Sequence, residues 1–142
     1  MILEALISTW RLKSHRQELP ETGEVLYPRG DKPQGLLTYT SDRRFSIINA
    51  PEERAPPKGL GPTDEEALGL FKGLTAYAGH YSVSGETVTH HVEVSWNEAW
   101  SGTDQVRRYK LEGDILIIIA GPSHSPWDGR LTISTLIWDR VR

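Results

Sequence analysis

The sequence has 142 residues, of which 37% are hydrophobic and 25% are charged, and it contains no cysteine. A chain of this length buries enough surface to fold without a metal or a disulfide, so we expect a single domain over residues 1–142. The missing cysteines exclude disulfide scaffolds, Cys-ligated zinc, iron–sulfur clusters and thiol nucleophiles, and the net charge of -3 is unlike that of a general nucleic-acid-binding protein.

The N-terminal segment, residues 1–10, is apolar but carries Glu4 where a signal peptide would have its hydrophobic core. It also lacks a basic leader and a small-residue cleavage site. The longest apolar run, Ile115 to Ala120, is much shorter than the roughly 18 residues of a membrane span. We therefore predict a cytoplasmic protein with no membrane partner.

Turn residues recur about every ten positions, and the stretches between them are rich in Val, Ile, Thr, Tyr and Trp, which is typical of antiparallel strands. Most connections are short, so strands adjacent in sequence should pair. The predicted fold is all-β, an antiparallel barrel of about eight or nine strands with one short helix. The predicted strands are Leu6 to Glu18, Glu24 to Tyr27, Gly35 to Thr40, Phe45 to Ala50, Ala76 to Val83, Thr87 to Trp96, Asp104 to Leu111, Ile115 to Ala120 and Leu131 to Val141.

The predicted helix begins at Thr63, where Thr63 and Glu66 have the spacing of a capping box. An apolar stripe with helical spacing follows, and we expect it to pack on the barrel. The preceding segment, Pro51 to Pro62, is rich in proline and is predicted to be an irregular loop. The stripe consists of Ala67, Leu70, Phe71 and Leu74.

The strand Thr87 to Trp96 alternates so clearly that one face should be buried and the other wet. His90 falls on the buried face, whereas His91 and Glu93 fall on the wet face, so the two histidines cannot ligate one metal together. Alternation on the neighbouring strands aims further polar groups inward, but the phase of the last strand leaves its inner face unassigned. The predicted inner face holds Tyr39, Tyr77, Tyr81, Val88, His90, Val92, Val94, Trp96, Gln105 and Arg107.

These inward polar groups favour a cavity over a sealed core. Each buried donor or acceptor without a partner costs about 1 to 3 kcal/mol, and an unpaired buried arginine costs more. A barrel of about eight strands encloses enough space for one small ligand, and aromatic walls with a few converging polar groups are typical of such sites.

The chain resembles the small bacterial and fungal lipocalin-like domain proteins, which are related in architecture to lipocalins and other calycin barrels. The central block, Tyr77 to Arg108, is the most specific part of the resemblance. The matching segments read STWRL from Ser8, GLLTYT from Gly35, AYAGHYSVSGETVTHHVEVS from Ala76, W.GTDQVRR from Trp100 and LIWDR from Leu136.

The resemblance implies that Trp10 closes one end of the barrel with Arg140 stacked on its indole. The chain departs from the family pattern at Ser8, where glycine is usual, and at residues 97–99, where the family often has proline. Some barrel proteins of similar shape assist natural-product biosynthesis by folding, cyclising or dehydrating a bound intermediate, so the resemblance implies either binding or catalysis.

Two residues are the candidates for chemistry in the predicted cavity. His90 would act as a proton donor or acceptor, or else it is a core histidine tied to Gln105, Tyr77 or a water. Arg107 would anchor a carboxylate, enolate or carbonyl oxygen, or else it forms an ion pair with a barrel carboxylate.

Four residues are candidates for the opening of the barrel. Trp96 and Trp100 would form an aromatic rim, with ordinary packing as the alternative. His124 and Trp127 lie in a proline-bounded loop that either borders the opening or is a plain surface loop.

We therefore predict a small-molecule-binding barrel for an apolar or aromatic ligand that bears oxygen, with no cofactor, metal or nucleic-acid partner. The alternatives are a cofactor-independent cyclase, isomerase or dehydratase that uses His90 and Arg107 in the same cavity, and a structural or interaction barrel with a filled core. Any uncovered barrel edge would be a surface for homo-oligomer formation. The predicted ligand-binding residues are Tyr39, Tyr77, Tyr81, His90, Trp96, Trp100, Gln105 and Arg107.

Overall fold

The computed structural model describes residues 4–142, and Met1 to Leu3, the start of the apolar N-terminal segment, lie outside the described residues. Residues 4–142 form nine strands, one α-helix and two short 3₁₀ turns, at Glu4–Leu6 and Glu98–Trp100. The helix α1 spans Asp64–Gly73, and the strands are β1 (Ser8–Leu19), β2 (Glu24–Leu26), β3 (Gln34–Tyr39), β4 (Arg44–Ala50), β5 (Thr75–Ser84), β6 (Thr87–Ser95), β7 (Asp104–Glu112), β8 (Ile115–His124) and β9 (Leu131–Arg140).

Within the described residues, eight strands close into an antiparallel barrel in the order β1, β3, β4, β5, β6, β7, β8 and β9, and β9 pairs back to β1. The closing ladder runs from Trp10 opposite Arg140 to Glu18 opposite Ile133. The short β2 is the extra strand and pairs with the end of β1. The predicted all-β antiparallel barrel with one helix is confirmed.

One end of the barrel is closed by Trp10, which is fully buried. Its indole Nε1 donates to the Leu6 carbonyl at 3.0 Å, and the Arg140 guanidinium lies 4.4 Å from its ring centroid. Arg140 also donates to the Ala5 carbonyl at 2.8 Å. The stacking that the resemblance implied is therefore present, and we call this the closed end.

The opposite end, which we call the mouth, carries the β4–β5, β6–β7 and β8–β9 connections, because successive antiparallel strands return to the same end. The segment that leads from β1 through β2 to β3 also lies at the mouth. Helix α1 belongs to the first of these connections. Its predicted capping box is confirmed: Glu66 N–H donates to Thr63 Oγ1 at 3.2 Å, and Thr63 N–H donates to Glu66 Oε1 at 2.8 Å.

The predicted packing of the helix stripe on the barrel is wrong. No residue of α1 is buried, Ala67 is exposed and the Phe71 side chain is 38% exposed. Leu74 is the C-cap residue, beyond the last helical turn. The helix lies at the mouth, among the connections and not against a sheet face, so its stripe is not buried.

A bulge in β6 overturns one inward assignment. Ala78 pairs with Val94 and Gly79 pairs with Val92, so Glu93 is an extra residue. An extra residue reverses the alternation beyond it, and Val94, predicted to face inward, is 63% exposed. The bulge depends on Gly79, because a Cβ there would lie 2.0 Å from the His91 carbonyl oxygen.

Candidate functional site

The centre of the barrel holds a histidine between two tyrosines. His90 is 1% exposed, and its Nε2 lies 2.6 Å from the Tyr39 hydroxyl. Its Nδ1 lies 3.2 Å from the Tyr77 hydroxyl, and its ring stacks on Phe45 with centroids 4.3 Å apart. Strands β3, β5 and β6 supply the three polar groups, because alternation aims one side chain from each at the interior. The inward positions predicted for Tyr39, Tyr77 and His90 are those observed.

His90 is neutral in this environment. Burial is the main cause that lowers its pKa from 6.5 to about 3, and the Arg107 charge adds to the effect. A neutral imidazole has one donor and one acceptor nitrogen, so one tyrosine donates to His90 and the other accepts from it. Burial also raises the pKa values of Tyr39 and Tyr77, so both hydroxyls keep their protons.

Arg107 faces the interior from β7, in phase with the buried Tyr109, and it is half-buried. Its Nη2 donates to Gln105 Oε1 at 3.3 Å, and its Nη1 donates to the Val106 carbonyl at 3.3 Å. Gln105 in turn donates to Thr103 Oγ1 at 2.9 Å. Among residues 4–142 Arg107 forms no ion pair with a carboxylate, so the alternative of a barrel ion pair is wrong.

Tyr81, the remaining predicted tyrosine, is 2% exposed and has its hydroxyl engaged elsewhere. It donates to the Thr40 carbonyl at 2.9 Å, and its ring packs edge-on against Tyr39 with centroids 4.8 Å apart. The ring therefore supports the wall that positions Tyr39.

A continuous aromatic contact path leads from this cluster to the surface at the mouth. Trp100 packs edge-on against Tyr77 at 5.1 Å, and Trp96 against Trp100 at 5.3 Å. Phe71 of α1 then contacts both Trp96, at 6.1 Å, and Trp127, at 6.2 Å. Since these rings come from three different connections at the mouth, α1 and its Phe71 lie across part of the opening.

His124 and Trp127, both predicted as candidates for the opening, lie in different surroundings. His124, the last residue of β8, is exposed, and its Nδ1 is 3.0 Å from the Gly129 carbonyl in the connection that follows. Trp127 is 50% exposed but contacts Phe71 and lies 5.6 Å from the Lys72 ammonium. Only the tryptophan of this loop therefore borders the mouth.

The sequence reasoning missed a second buried polar cluster. His15 on β1 is 5% exposed, and its Nδ1 lies 2.8 Å from Nη1 of Arg29, which comes from the β2–β3 connection. Arg29 Nη2 donates to Thr75 Oγ1 at 2.6 Å. A bulge between Leu12 and Ser14 reverses the alternation of β1 and turns His15 inward, and no local pattern signals that bulge.

The model of the lipocalin-like domain family matches residues 7–141. The chain belongs to the lipocalin-like domain family. Among solved structures it is similar to a lipocalin-like protein from Bacteroides uniformis ATCC 8492, with 14% identity and a TM-score of 0.49 over 96% of this chain and 98% of the other. It is also similar to an uncharacterized protein from Bacteroides eggerthii DSM 20697, with 11% identity and a TM-score of 0.47 over 96% of this chain and 99% of the other. No curated protein matches the sequence significantly.

Two pockets open on the outside of this lipocalin-like barrel. One, of about 240 Å³, lies between α1 and the proline-rich segment, and the other, of about 420 Å³, lies where the connections around Arg29 and Glu52 meet. Neither pocket is lined by any of the predicted ligand-binding residues.

The outer face of the lipocalin-like barrel carries a chain of polar contacts. Ser82 Oγ is 2.9 Å from His91 Nε2, and His91 Nδ1 is 2.8 Å from Asp104 Oδ1. Ser82 and Asp104 are exposed to water, whereas strong electrostatic catalysis needs a site that excludes water. We therefore interpret these contacts as cross-strand links, and His90 and His91 lie on opposite faces as predicted.

No group of three or more His, Asp or Glu side chains in residues 4–142 is arranged to hold a metal ion. In the same part of the chain, no helix is both long and apolar enough to cross a membrane.

Proposed function

We propose that this protein binds a small apolar or aromatic molecule that carries an oxygen acceptor, inside the barrel and beside the Tyr39–His90–Tyr77 cluster. Membership of the lipocalin-like domain family supports a binding role. The affinity would come mainly from burial of apolar surface, at about 25 cal/mol per Å².

The single observation that carries the proposal is the guanidinium of Arg107. It faces inward, donates to Gln105 Oε1 and to the Val106 carbonyl at 3.3 Å each, and also lies within hydrogen-bonding reach of the Tyr77 hydroxyl. A guanidinium has five N–H donors, so these contacts still leave donors free. A carbonyl, enolate or carboxylate oxygen of a ligand would satisfy them in a partly dry site.

The aromatic path at the mouth supports the apolar part of the ligand. Trp96 and Trp100 present flat rings between the outside and Tyr77, and indoles bind planar apolar molecules over a wide area. We propose that the ligand enters along these two rings, where Phe71 covers the opening.

The same contacts favour binding over catalysis. His90 has a tyrosine hydroxyl on each ring nitrogen, and a pKa of about 3 is far from that of an acid or base that works near neutral pH. A ligand beside Arg107 would therefore meet a fixed, neutral hydrogen-bond network and not a free imidazole.

Arg107→Gln tests the proposal, with Arg108→Gln on the outer face of the same strand as its matched control. Native mass spectrometry of the protein from its own source identifies a retained molecule, and the fluorescent probe 1-anilinonaphthalene-8-sulfonate is titrated in parallel. We expect saturable binding at one site that Arg107→Gln weakens at least about tenfold, because a charged hydrogen bond contributes about 1.5 to 3 kcal/mol.

The control should bind like the wild type. Equal affinity for all three proteins would contradict the assignment of Arg107. If the wild type retains no molecule and the probe does not saturate, the barrel is filled by its own side chains and the binding proposal is wrong.

A further inference from the structure

Arg29 crosses the inside of the mouth and joins two distant strands. Its guanidinium contacts His15 on β1 and Thr75 on β5, which are separated by β3 and β4 in the barrel. Asn49 on β4 is opposite Thr75 in the ladder, and it is 3% exposed. These four residues form a polar cluster, which we call the Arg29 cluster, on the wall opposite β7 and Arg107.

The proton positions in the Arg29 cluster follow from one contact. A guanidinium only donates hydrogen bonds, so His15 Nδ1, 2.8 Å from Arg29 Nη1, must accept. The His15 proton is therefore on Nε2. Burial, followed by the Arg29 charge, lowers the His15 pKa from 6.5 to about 3, so the ring remains neutral and the positive charge belongs to Arg29.

Two N–H donors of this cluster have no acceptor. His15 Nε2 and Arg29 Nε are both buried without a hydrogen-bond partner, and His15 is 5% exposed. Asn49 Oδ1 is a third buried polar atom without a partner. Each unsatisfied donor is expensive, and among residues 4–142 no carboxylate pairs with Arg29. The cluster lacks an acceptor that carries negative charge.

We propose that Arg29 and His15 form an oxyanion site inside the mouth that takes the carboxylate of a small organic acid. The carboxylate accepts from Arg29 Nε and His15 Nε2 and balances the guanidinium charge. Asp31, Glu52 and Glu53, which line the outer pocket beside Arg29, would repel an acid on that side, so the acid reaches the site through the mouth. This site is separate from the Arg107 site, and its occupation does not require a ligand there.

The test uses benzoate as the probe and benzamide, which has the same ring without the charge, as the matched ligand control. Calorimetric titration is done with the wild type, Arg29→Gln and Arg16→Gln, which removes an exposed arginine next to His15 on β1. We expect benzoate to bind at least tenfold more tightly than benzamide. Arg29→Gln should lose that preference and Arg16→Gln should keep it.

A second measurement remains valid if Arg29→Gln fails to fold. In wild-type protein with ¹⁵N-labelled arginine, the Nε–H resonance of Arg29 should shift on addition of benzoate and not of benzamide. An unresponsive Nε–H, or equal binding of the two probes, would overturn the proposal and indicate that buried water completes the cluster.

Arg107→Gln separates this inference from the proposed function. If benzoate binding persists in Arg107→Gln, the oxyanion site is independent, as proposed. If Arg107→Gln abolishes it and Arg29→Gln does not, the acid binds at Arg107 and the Arg29 site is wrong.

Discussion

The hydroxyl of Tyr39 lies 2.6 Å from Nε2 of His90, and both side chains are buried. Tyr39→Phe keeps the ring but leaves Nε2 without its partner, so we expect a loss of about 1 to 3 kcal/mol in the free energy of unfolding. Urea denaturation monitored by circular dichroism measures this loss of stability. Tyr27→Phe, at a side chain that is 54% exposed, is the control and should change stability by less than about 0.5 kcal/mol. Equal losses in both variants would contradict the buried hydrogen bond.

Two buried histidines should make the protein sensitive to mild acid. The pKa values of His15 and His90 are both lowered from 6.5 to about 3, so between these values the unfolded chain binds protons that the folded chain does not. Stability is therefore highest above about pH 6.5 and falls as the pH falls, by up to about 1.4 kcal/mol per pH unit for each histidine.

Urea midpoints measured from about pH 7.5 to about pH 5 test this dependence, because most carboxylates remain ionised there. His90→Gln should reduce the slope, whereas His124→Gln, at an exposed position, should leave it unchanged. A flat profile for the wild type would show that the two imidazoles can be protonated in the fold.

The closed end allows two arginines to be compared. Arg140 and Arg142 both contact Asp114, but the Arg140 side chain is 15% exposed and stacks on Trp10, whereas the Arg142 side chain is 71% exposed. We expect Arg140→Lys to cost about 1 to 2 kcal/mol, because it loses the planar stacking and the geometry of the hydrogen bond to Ala5. Arg142→Lys should cost less than about 0.5 kcal/mol. Thermal denaturation of both variants measures these losses of stability. Similar losses in the two variants would show that the stacking on Trp10 does not stabilise the protein.

Two glycines should respond in opposite ways to replacement by alanine, because one contacts the bulge in β6 and the other has open space around it. A Cβ at Gly79 would lie 2.0 Å from the His91 carbonyl oxygen, so Gly79→Ala should destabilise the barrel by about 3 kcal/mol. Gly69 lies in α1 with open space around it, and Gly69→Ala should stabilise the protein by about 0.5 to 1 kcal/mol. Denaturation midpoints in urea measure both changes, and a tolerated Gly79→Ala would contradict the observed register.

Phe71 covers part of the mouth, and because its side chain is not buried in the core, its removal should change ligand entry more than stability. Phe71→Ala removes its contacts with Trp96 and Trp127, so the probe 1-anilinonaphthalene-8-sulfonate should associate severalfold faster in stopped-flow fluorescence. Leu68→Ala, at a side chain on the same helix that is 54% exposed, should leave the rate unchanged. If the two variants behave alike, α1 does not limit entry.

Much of the candidate site followed from the sequence because it lies on regular strands. Alternation predicts that His90 and Arg107 face inward, and the larger rings of β5 favour an inward Tyr77; the structure finds each of the three on the inner face. The sequence analysis named Tyr77 among the possible partners of His90, and that contact is observed. It did not name Tyr39, which reaches His90 across 51 positions of sequence, because no local pattern states which hydroxyl meets which nitrogen. The candidate roles of these residues in binding remain predictions.

Bulges explain the residue that alternation misplaced, Val94, and a residue that it left unassigned, His15. Val94 faces out and His15 faces in because one extra residue in β6 and one in β1 reverse the pleat. A bulge depends on the facing strand, as the contact of Gly79 with the β6 backbone shows, so it leaves no signal in the bulged strand itself.

The sequence by itself therefore determined the strands, the capping box at Thr63 and the antiparallel barrel, because pleat, turns and caps depend on residues close together in the chain. Only the tertiary structure decided where the barrel pairing shifts, that α1 lies over the mouth, and that Arg29 reaches His15 and Thr75. Those outcomes depend on distant segments meeting in space. The chain's missing cysteines and small net charge excluded whole classes of protein. The folded barrel decided that Arg29 lies inside it beside His15 and Thr75 and, among residues 4–142, without a carboxylate partner.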